Sequence, residues 1–365
     1  MHGHSIQQMR DHHDIVIVGG GVIGLTIARA LALRGMRDVC LVERGNLGTE
    51  ASWAAAGMLL PQVEADKAEE FFNLACQSRD LYPGFAAALR EETGIDVELD
   101  TTGTLYLAVT EHDHEEIEKR YEWQTRAGLA VERLSGIEAR ELEPCVSAST
   151  LGALRFPKDI QVENRRLLSA LANSVKKHGV EIATQTSVAS VLLDGNRVRG
   201  VQTSRGAISS PTVVIAAGTW SSFIKTSPES PIPTIEPVRG QMVCLEAKPR
   251  LTRHVLYSPR GYLVPRQDGR LLAGSTSENA GFAKCVTAGG VATILRNALE
   301  ISPAISDLPV VDTWAGLRPR SSDGLPVMGP CGEIDGLFCA TGHYRNGILL
   351  APLTGELISK AIISS

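Results

Sequence analysis

The chain has 365 residues, 43% of them hydrophobic and 21% charged, with 35 glycines and a formal net charge of −5. Single cores stop growing at roughly 250 to 300 residues, so this length predicts two intergrown substructures, and the composition excludes a disordered or fibrous chain. Charges of one sign form no long run, which excludes a nucleic-acid surface and a polybasic membrane patch and favours small-molecule chemistry.

Residues 1–13 are polar and lack the apolar core of a secretory signal, so they read as a mobile arm whose histidines (His2, His4, His12 and His13) carry no assigned chemistry. Strand Asp14 to Val18, a glycine turn, helix Val22 to Arg34 and strand Asp38 to Glu43 then make a βαβ start on a parallel sheet. The apolar run Ile15 to Leu33 holds four glycines and Arg29, which suits a buried strand and helix better than a membrane span. A loop of small residues, Ala51 to Gly57, leads to a long helical stretch near Ala65 to Glu92 and to strands at Val97 to Leu99 and Thr104 to Val109. Helices follow near Glu111 to Ala127, Gly136 to Glu143 and Glu163 to His178, then a strand at Val180 to Ala183. Strands Val188 to Leu193 and Arg197 to Thr203 flank Asp194, Gly195 and Asn196, a hairpin signal, and strand Thr212 to Ala216 ends in Ala217 and Gly218.

From Pro231 to Ile305 the chain turns to alternating strands, Gln241 to Glu246, Gly261 to Pro265 and Arg270 to Ser275, before a helix near Gly290 to Glu300. That pattern predicts an antiparallel sheet with one solvated face. A strand Gly336 to Thr341, a glycine-rich turn and a helix to Ile363 close the chain. The expected division places 14–85, 150–228 and 305–365 in a cofactor domain and 86–149 with 229–304 in a substrate domain. The seven cysteines (40, 76, 145, 244, 285, 331, 339) are scattered and lack a C-x-x-C or Cys/His ligand spacing. Neither a disulfide framework nor a metal site is expected, and a reducing cytoplasm fits.

The chemistry begins at Gly19, Gly21 and Gly24, a G-x-G-x-x-G directly after an apolar strand and before a helix. Gly19 permits the tight turn, Gly21 the approach of a pyrophosphate, and Gly24 close packing of helix on strand, while free N–H groups at Val22 and Ile23 face the phosphates. Glu43 lies nineteen residues beyond Gly24 at the end of the second strand, with Arg44 beside it, where a carboxylate can accept both hydroxyls of an adenosine ribose. This spacing by itself leaves FAD and NAD open.

Five blocks decide between them: Gly19 to Glu43, Ser52 to Met58, Val213 to Trp220, Trp314 to Pro319 and Gly342 to Pro352. In this order they resemble the glycine oxidases, the thiamine-pathway members of the FAD-dependent D-amino-acid oxidase family, over nearly the whole chain from Asp14 onward. The resemblance implies an α/β fold, a Rossmann-like FAD-binding domain interleaved with an α+β substrate domain built on an antiparallel sheet. It also implies oxidation of a small amino acid to its imine, with electrons passing to oxygen and hydrogen peroxide as product. Sarcosine oxidases attach flavin to a cysteine near the segment matching Trp314 to Arg318, and none stands here, so the FAD is expected to be noncovalent.

The same resemblance assigns cofactor contacts to Ser52, Ala55, Ala56, Gly57 and Met58, to Val188, to Ala217, Gly218 and Trp220, and to Gly342, His343, Arg345, Asn346, Gly347 and Ile348. A helix opening at Asn346 to Ile348 would aim N–H groups at the edge of the flavin where negative charge settles. Tyr262 and Arg318 match the family's carboxylate clamp, a planar fork plus a phenol. Arg345 resembles a second arginine, with a role in touching substrate or in ordering the loop both open. Met58, Arg260 and Ser277 are the expected pocket walls. Arg260 replaces a histidine of one family branch. Ser277 replaces a bulky apolar residue, which predicts a wider site that takes sarcosine or a small D-amino acid besides glycine. The protein contributes orientation and electrostatics and no obligate base, so His343 is expected to order its loop. Expected partners are a small amino-acid substrate and oxygen, with no nucleic acid and no membrane, and a homo-oligomer is compatible. The alternatives are a D-amino-acid dehydrogenase that reduces a quinone and a non-catalytic flavin-binding protein.

Overall fold

The computed structural model describes residues 10–226 and 231–365. A six-stranded sheet runs in the order Val327–Pro330, Leu337–Thr341, Thr212–Ile215, Ile15–Val18, Val39–Val42 and Glu181–Ala183. Its strands pair in parallel except for the edge strand Val327–Pro330, which is antiparallel to its neighbour. Ile15, Ile17, Leu41 and Val214 pack on helices Val22–Leu33, Asn164–Lys177 and Gly347–Ser364. Val16, Val18, Cys40 and Ile215 face the three-stranded sheet 188–209 instead. Such burial on both faces is what a continuous Val/Ile/Leu run in a parallel sheet requires.

The second sheet has eight strands, ordered Val310–Arg320, Glu236–Glu246, Arg270–Gly274, Gly261–Pro265, Val255–Ser258, Thr104–Ala108, Gly152–Phe156 and Glu132–Ser135. One pair, Val255–Ser258 with Thr104–Ala108, is parallel and the rest are antiparallel. The expectation of a solvated face is corrected. Gly261–Pro265 is buried at every position, because helix Ala288–Ile301 covers one face through Ile294, Ala298 and Ile301, and the other packs Tyr106, Met242 and Trp314.

Sheet membership also moves the expected boundaries. Gly152–Phe156 and Val310–Arg320 belong to the eight-stranded sheet although both fell in the segments assigned to the cofactor domain. The line at 85/86 cuts helix Glu70–Thr93, whose Tyr82, Ala86 and Leu89 all belong to the core under the parallel sheet. The long helical stretch near Ala65 to Glu92 is one helix, Glu70–Thr93, preceded by a separate short helix Pro61–Glu64, and the small-residue loop starts with a short helix, Ala51–Ala54. Val97 to Leu99 forms no strand. The expected mobile arm includes His2 and His4, which lie outside the described residues, but it does not extend to His13. That side chain is fully buried and bonded to Asp38 at 2.7 Å.

One helix among the described residues, Gly347–Ser364, is long and apolar enough to cross a membrane. Its Ile348, Leu349, Ala351, Ile358 and Ile362 fill the core beneath the parallel sheet, which accounts for its composition.

Candidate active site

A cavity of about 370 Å³ runs from the C-terminal ends of the parallel strands to the eight-stranded sheet, within the range of small-molecule and cofactor sites. One end is lined by Gly19, Gly21, Val22, Ile23, Glu43, Arg44, Val188, Ala217, Gly218 and Trp220. Gly24 stays outside it and acts through packing: a Cβ there would stand 1.9 Å from the Gly19 carbonyl oxygen, so only glycine lets helix and turn touch. Helix Val22–Leu33 starts with no side-chain cap and no acidic residue in its first turn. The Ser52 hydroxyl accepts the Val22 N–H at 3.0 Å, and the remaining N–H groups leave a positive helix end facing the cavity.

Glu43 organises the turn. Its Oε2 accepts the Gly20 N–H and its Oε1 the Gly45 N–H, each at 2.7 Å. A carboxylate offers about four acceptor sites, so two remain for ligand hydroxyls. Arg44 pairs with Glu50 at 2.8 Å and lies 3.5 Å from the centre of the Trp220 ring.

Midway, Ser52, Ala55, Ala56, Gly57 and Met58 form one wall and His343, Arg345, Asn346, Gly347 and Ile348 the other, while Gly342 lies outside the lining. Helix Gly347–Ser364 also begins without a side-chain cap or an acidic residue in its first turn. Tyr82 and Ser78, from helix Glu70–Thr93, donate their hydroxyls to the carbonyls of Ile348 and Leu349 and fix that turn. His343 is buried with Nε2 3.1 Å from the Thr354 hydroxyl. Burial pushes it down to about 3, so it is a neutral imidazole at ordinary pH. Two uncapped helix ends converging on one elongated cavity walled by small residues fit a dianionic dinucleotide with an electron-accepting ring, and FAD has that shape and charge.

At the far end stand Met58, Met242, Tyr262, Ser275 and Arg318. Tyr262 lies opposite Gly274, Gly274 opposite Met242, and Met242 opposite Trp314, a line across four strands. Arg318 sits four residues beyond Trp314 on the same sheet face. A Cβ at Gly240 would stand 2.3 Å from the Arg318 guanidinium, so the absence of a side chain there lets the arginine lie across the strand. Arg318 donates to the Ser275 hydroxyl at 2.7 Å and the Thr276 carbonyl at 3.1 Å, both neutral, and has no carboxylate partner among the described residues. Its charge is directed but uncompensated. Among the described residues the Tyr262 hydroxyl has only the Met242 sulfur, 3.3 Å away and a weak acceptor.

Arg345 contrasts with it. Its guanidinium donates to Glu64 at 2.9 Å and to the Tyr257 hydroxyl at 3.3 Å, and Glu64 holds its pKa above the ordinary arginine value. The site needs Glu64, Met242, Ser275 and the Thr276 carbonyl as well, none of which carries a motif. Met242 alone had a signal, the alternation of its strand.

Two expected pocket walls are corrected. Arg260 does not line the cavity, because Asp113 at 2.8 Å and Glu300 at 2.7 Å hold it elsewhere on the substrate side. Ser277 is exposed and also outside the lining, because the chain leaves the strand at Gly274 and turns Ser275 and the Thr276 carbonyl, not Ser277, toward Arg318.

The family model for FAD dependent oxidoreductases (DAO) matches residues 14–361. The chain is 39% identical to a glycine oxidase of Geobacillus kaustophilus over 97% of its own length and 94% of that protein's. It is 34% identical to a bifunctional protein ThiO/ThiG of Trichormus variabilis over 96% of its length and 52% of that larger protein's. Among solved structures, the glycine oxidase from Geobacillus kaustophilus superposes with a TM-score of 0.93 at 38% identity, covering 98% of this chain and 96% of that one.

Proposed function

The chain belongs to the DAO family of FAD dependent oxidoreductases, and we propose that it is a glycine oxidase: a cytoplasmic enzyme that converts glycine, oxygen and water to glyoxylate, ammonia and hydrogen peroxide. The likeness to a ThiO/ThiG protein supports a role in thiamine biosynthesis. The observation that carries the substrate assignment is Arg318, a cation in the cavity whose hydrogen-bond partners are neutral.

Bound FAD supplies the two-electron acceptor and the route to oxygen. The protein's part is to hold the amine. Arg318 takes the substrate carboxylate through parallel N–H donors, and the Tyr262 hydroxyl adds a third bond. With the carboxylate fixed, Met58 and Met242 bound the space left for a side chain, which favours glycine. With both the carboxylate and the direction of the departing Cα hydrogen fixed, one side is left for a substituent, so L-amino acids are expected to be refused while a small D-amino acid can enter. Among the described residues, no unpaired base faces this end. Glu64 is committed to Arg345, and His343 is neutral and bonded to Thr354. The amine therefore arrives unprotonated from solution, and a general base is not required of the chain.

The test is an anaerobic reduction screen with glycine, sarcosine, D-alanine, D-proline and L-alanine, followed by admission of oxygen and assay of peroxide. Bleaching of the flavin absorbance by glycine, with stoichiometric peroxide on reoxidation, is expected. Reoxidation by a quinone but not by oxygen would make the protein a dehydrogenase. Failure of every amine to bleach the flavin would leave a flavin-binding protein without turnover.

A further inference from the structure

At the opposite end of the parallel sheet from the cavity, three potential ligands meet from distant parts of the chain. His13 precedes strand Ile15–Val18, Cys40 lies in Val39–Val42, and Glu181 opens Glu181–Ala183 as the register partner of Cys40. His13 and Cys40 are fully buried, and Glu181 is partly exposed. One ring nitrogen of His13, the Cys40 sulfur and a Glu181 carboxylate oxygen all lie within 4.8 Å of one another.

The imidazole is oriented for a purpose. His13 Nδ1 lies 2.7 Å from Asp38 Oδ1 and 3.3 Å from a nitrogen of Arg10. A lone pair on Nδ1 would face the carboxylate at the shorter distance, so Nδ1 carries a hydrogen and donates it to Asp38. In the neutral ring the lone pair is then on Nε2. That atom is buried and has no hydrogen-bond partner among the described residues, and Glu181 Oε2 is 3.7 Å from it. A carboxylate that receives one imidazole N–H while the other nitrogen faces a thiol and a second carboxylate is the arrangement by which proteins orient a metal-binding histidine.

We propose that His13 Nε2, Cys40 Sγ and the Glu181 carboxylate form a binding site for a divalent cation of the zinc class, with Asp38 as the positioning residue of the imidazole. Sulfur, imidazole nitrogen and carboxylate suit a borderline cation and not magnesium or calcium, and a fourth position is left for water. The charges balance. Asp38, Glu181 and the Cys40 thiolate supply three negative charges, and a divalent cation with Arg10 supplies three positive ones. Arg10 lies at the mouth of the site, bonded to Glu181 and Asp38 at 2.9 Å each. Burial, reinforced by Glu181, pushes the Cys40 thiol up to about 12, so the cation must displace its proton to solvent as the S–metal bond forms, and binding weakens as pH falls. The bound cation would staple the segment ahead of the central strand to two neighbouring strands.

The test uses the full chain with FAD bound, stripped with a chelator and titrated with cobalt(II). One cobalt per chain is expected, with a thiolate-to-cobalt charge-transfer band in difference spectra, d–d bands to the red of the flavin, and displacement by zinc. Cys40→Ser should abolish the charge-transfer band, and Glu181→Gln should weaken cobalt binding at least tenfold, with FAD content and amine turnover unchanged in both. Zinc should raise the Tm of the stripped wild type by a few degrees and that of Glu181→Gln by less at the same zinc concentration. Glu181→Gln changes a partly exposed side chain and keeps the test decisive if Cys40→Ser does not fold. A wild type without the thiolate band, a band that survives Cys40→Ser, or tight binding unaffected by Glu181→Gln would each overturn the proposal.

Discussion

At the cofactor end of the cavity the chain presents mostly backbone: a glycine turn, two uncapped helix ends and a wall of small residues, with Glu43 bracing the turn through two N–H groups. At the substrate end it presents side chains from separate strands, and the decisive one, Arg318, is aimed by a hydroxyl and a carbonyl while keeping its charge. The first end can hold a large ligand with many weak, distributed contacts. The second can hold a small one through few strong contacts. Single substitutions should therefore act sharply on turnover at one end and more gradually on cofactor retention at the other.

The largest expected effect tests the substrate end. Arg318→Ala should lower kcat/KM about a hundredfold, corresponding to roughly 3 kcal/mol for a lost charge-assisted pair, while FAD stays bound. Arg318→Lys should restore part of the loss, since an ammonium is a point charge and cannot reproduce the fork. Acetate inhibition should disappear in Arg318→Ala. Near-normal kcat/KM with acetate still competing would move the clamp to another cation.

At the cofactor end, Glu43→Ala leaves the N–H groups of Gly20 and Gly45 without their acceptor. A loss of roughly 2 kcal/mol, about thirtyfold in FAD affinity, is expected by equilibrium dialysis, with kcat at saturating FAD close to wild type. Unchanged affinity would remove Glu43 from the cofactor end.

His343 gives a smaller effect, read as a pH dependence. Its pKa falls from about 6.5 in the unfolded chain to about 3 in the fold, so between these values the unfolded state binds more protons. Stability is then lost as pH falls below 6.5, by up to about 1.4 kcal/mol per pH unit. Buried Asp159 is raised to about 7 and contributes the opposite slope, so the measurement is the difference between wild type and His343→Asn. The variant should lose less stability than wild type in urea melts between pH 6.5 and 5.5, and equal losses would contradict a neutral buried imidazole.

The smallest effect is at Ser277. Because it is exposed outside the cavity, Ser277→Met should leave the ratio of glycine to sarcosine turnover within about twofold, inside the usual surface range of ±0.5 kcal/mol. A strong shift toward glycine would bring it back to the pocket.

The same contrast explains what could be read in the sequence. Gly19, Gly21, Gly24 and Glu43 carry local meaning, since turn, helix start and strand end lie within one βαβ unit, and the structure brings Gly19, Gly21 and Glu43 to the cavity. Tyr262, Arg318 and Arg345 also line it, but their surroundings could not be read. Ser275, 43 residues before Arg318, aims it from across the intervening strand Glu236–Glu246, and Glu64 neutralises Arg345 across 281 residues. Alternation revealed the strands of the second sheet but not its far face, because the covering helix Ala288–Ile301 is a tertiary fact. His13, Cys40 and Glu181 show the same limit: metal-ligand spacings are visible only when the ligands are close in sequence.

The order of the parallel sheet bears on how the molecule is made. Strand Ile15–Val18 lies between Val39–Val42 and Thr212–Ile215, and the latter pairs with Leu337–Thr341, so the centre of the sheet is assembled from the start, middle and end of the chain. A ribosome releases these pieces in that order. Until helix Gly347–Ser364 leaves the exit tunnel, Ile348, Leu349 and Ile358 are missing from the core and the second uncapped helix end does not exist. The nascent chain can form its glycine turn early, but it can close around a dinucleotide only after helix Gly347–Ser364 has emerged and packed.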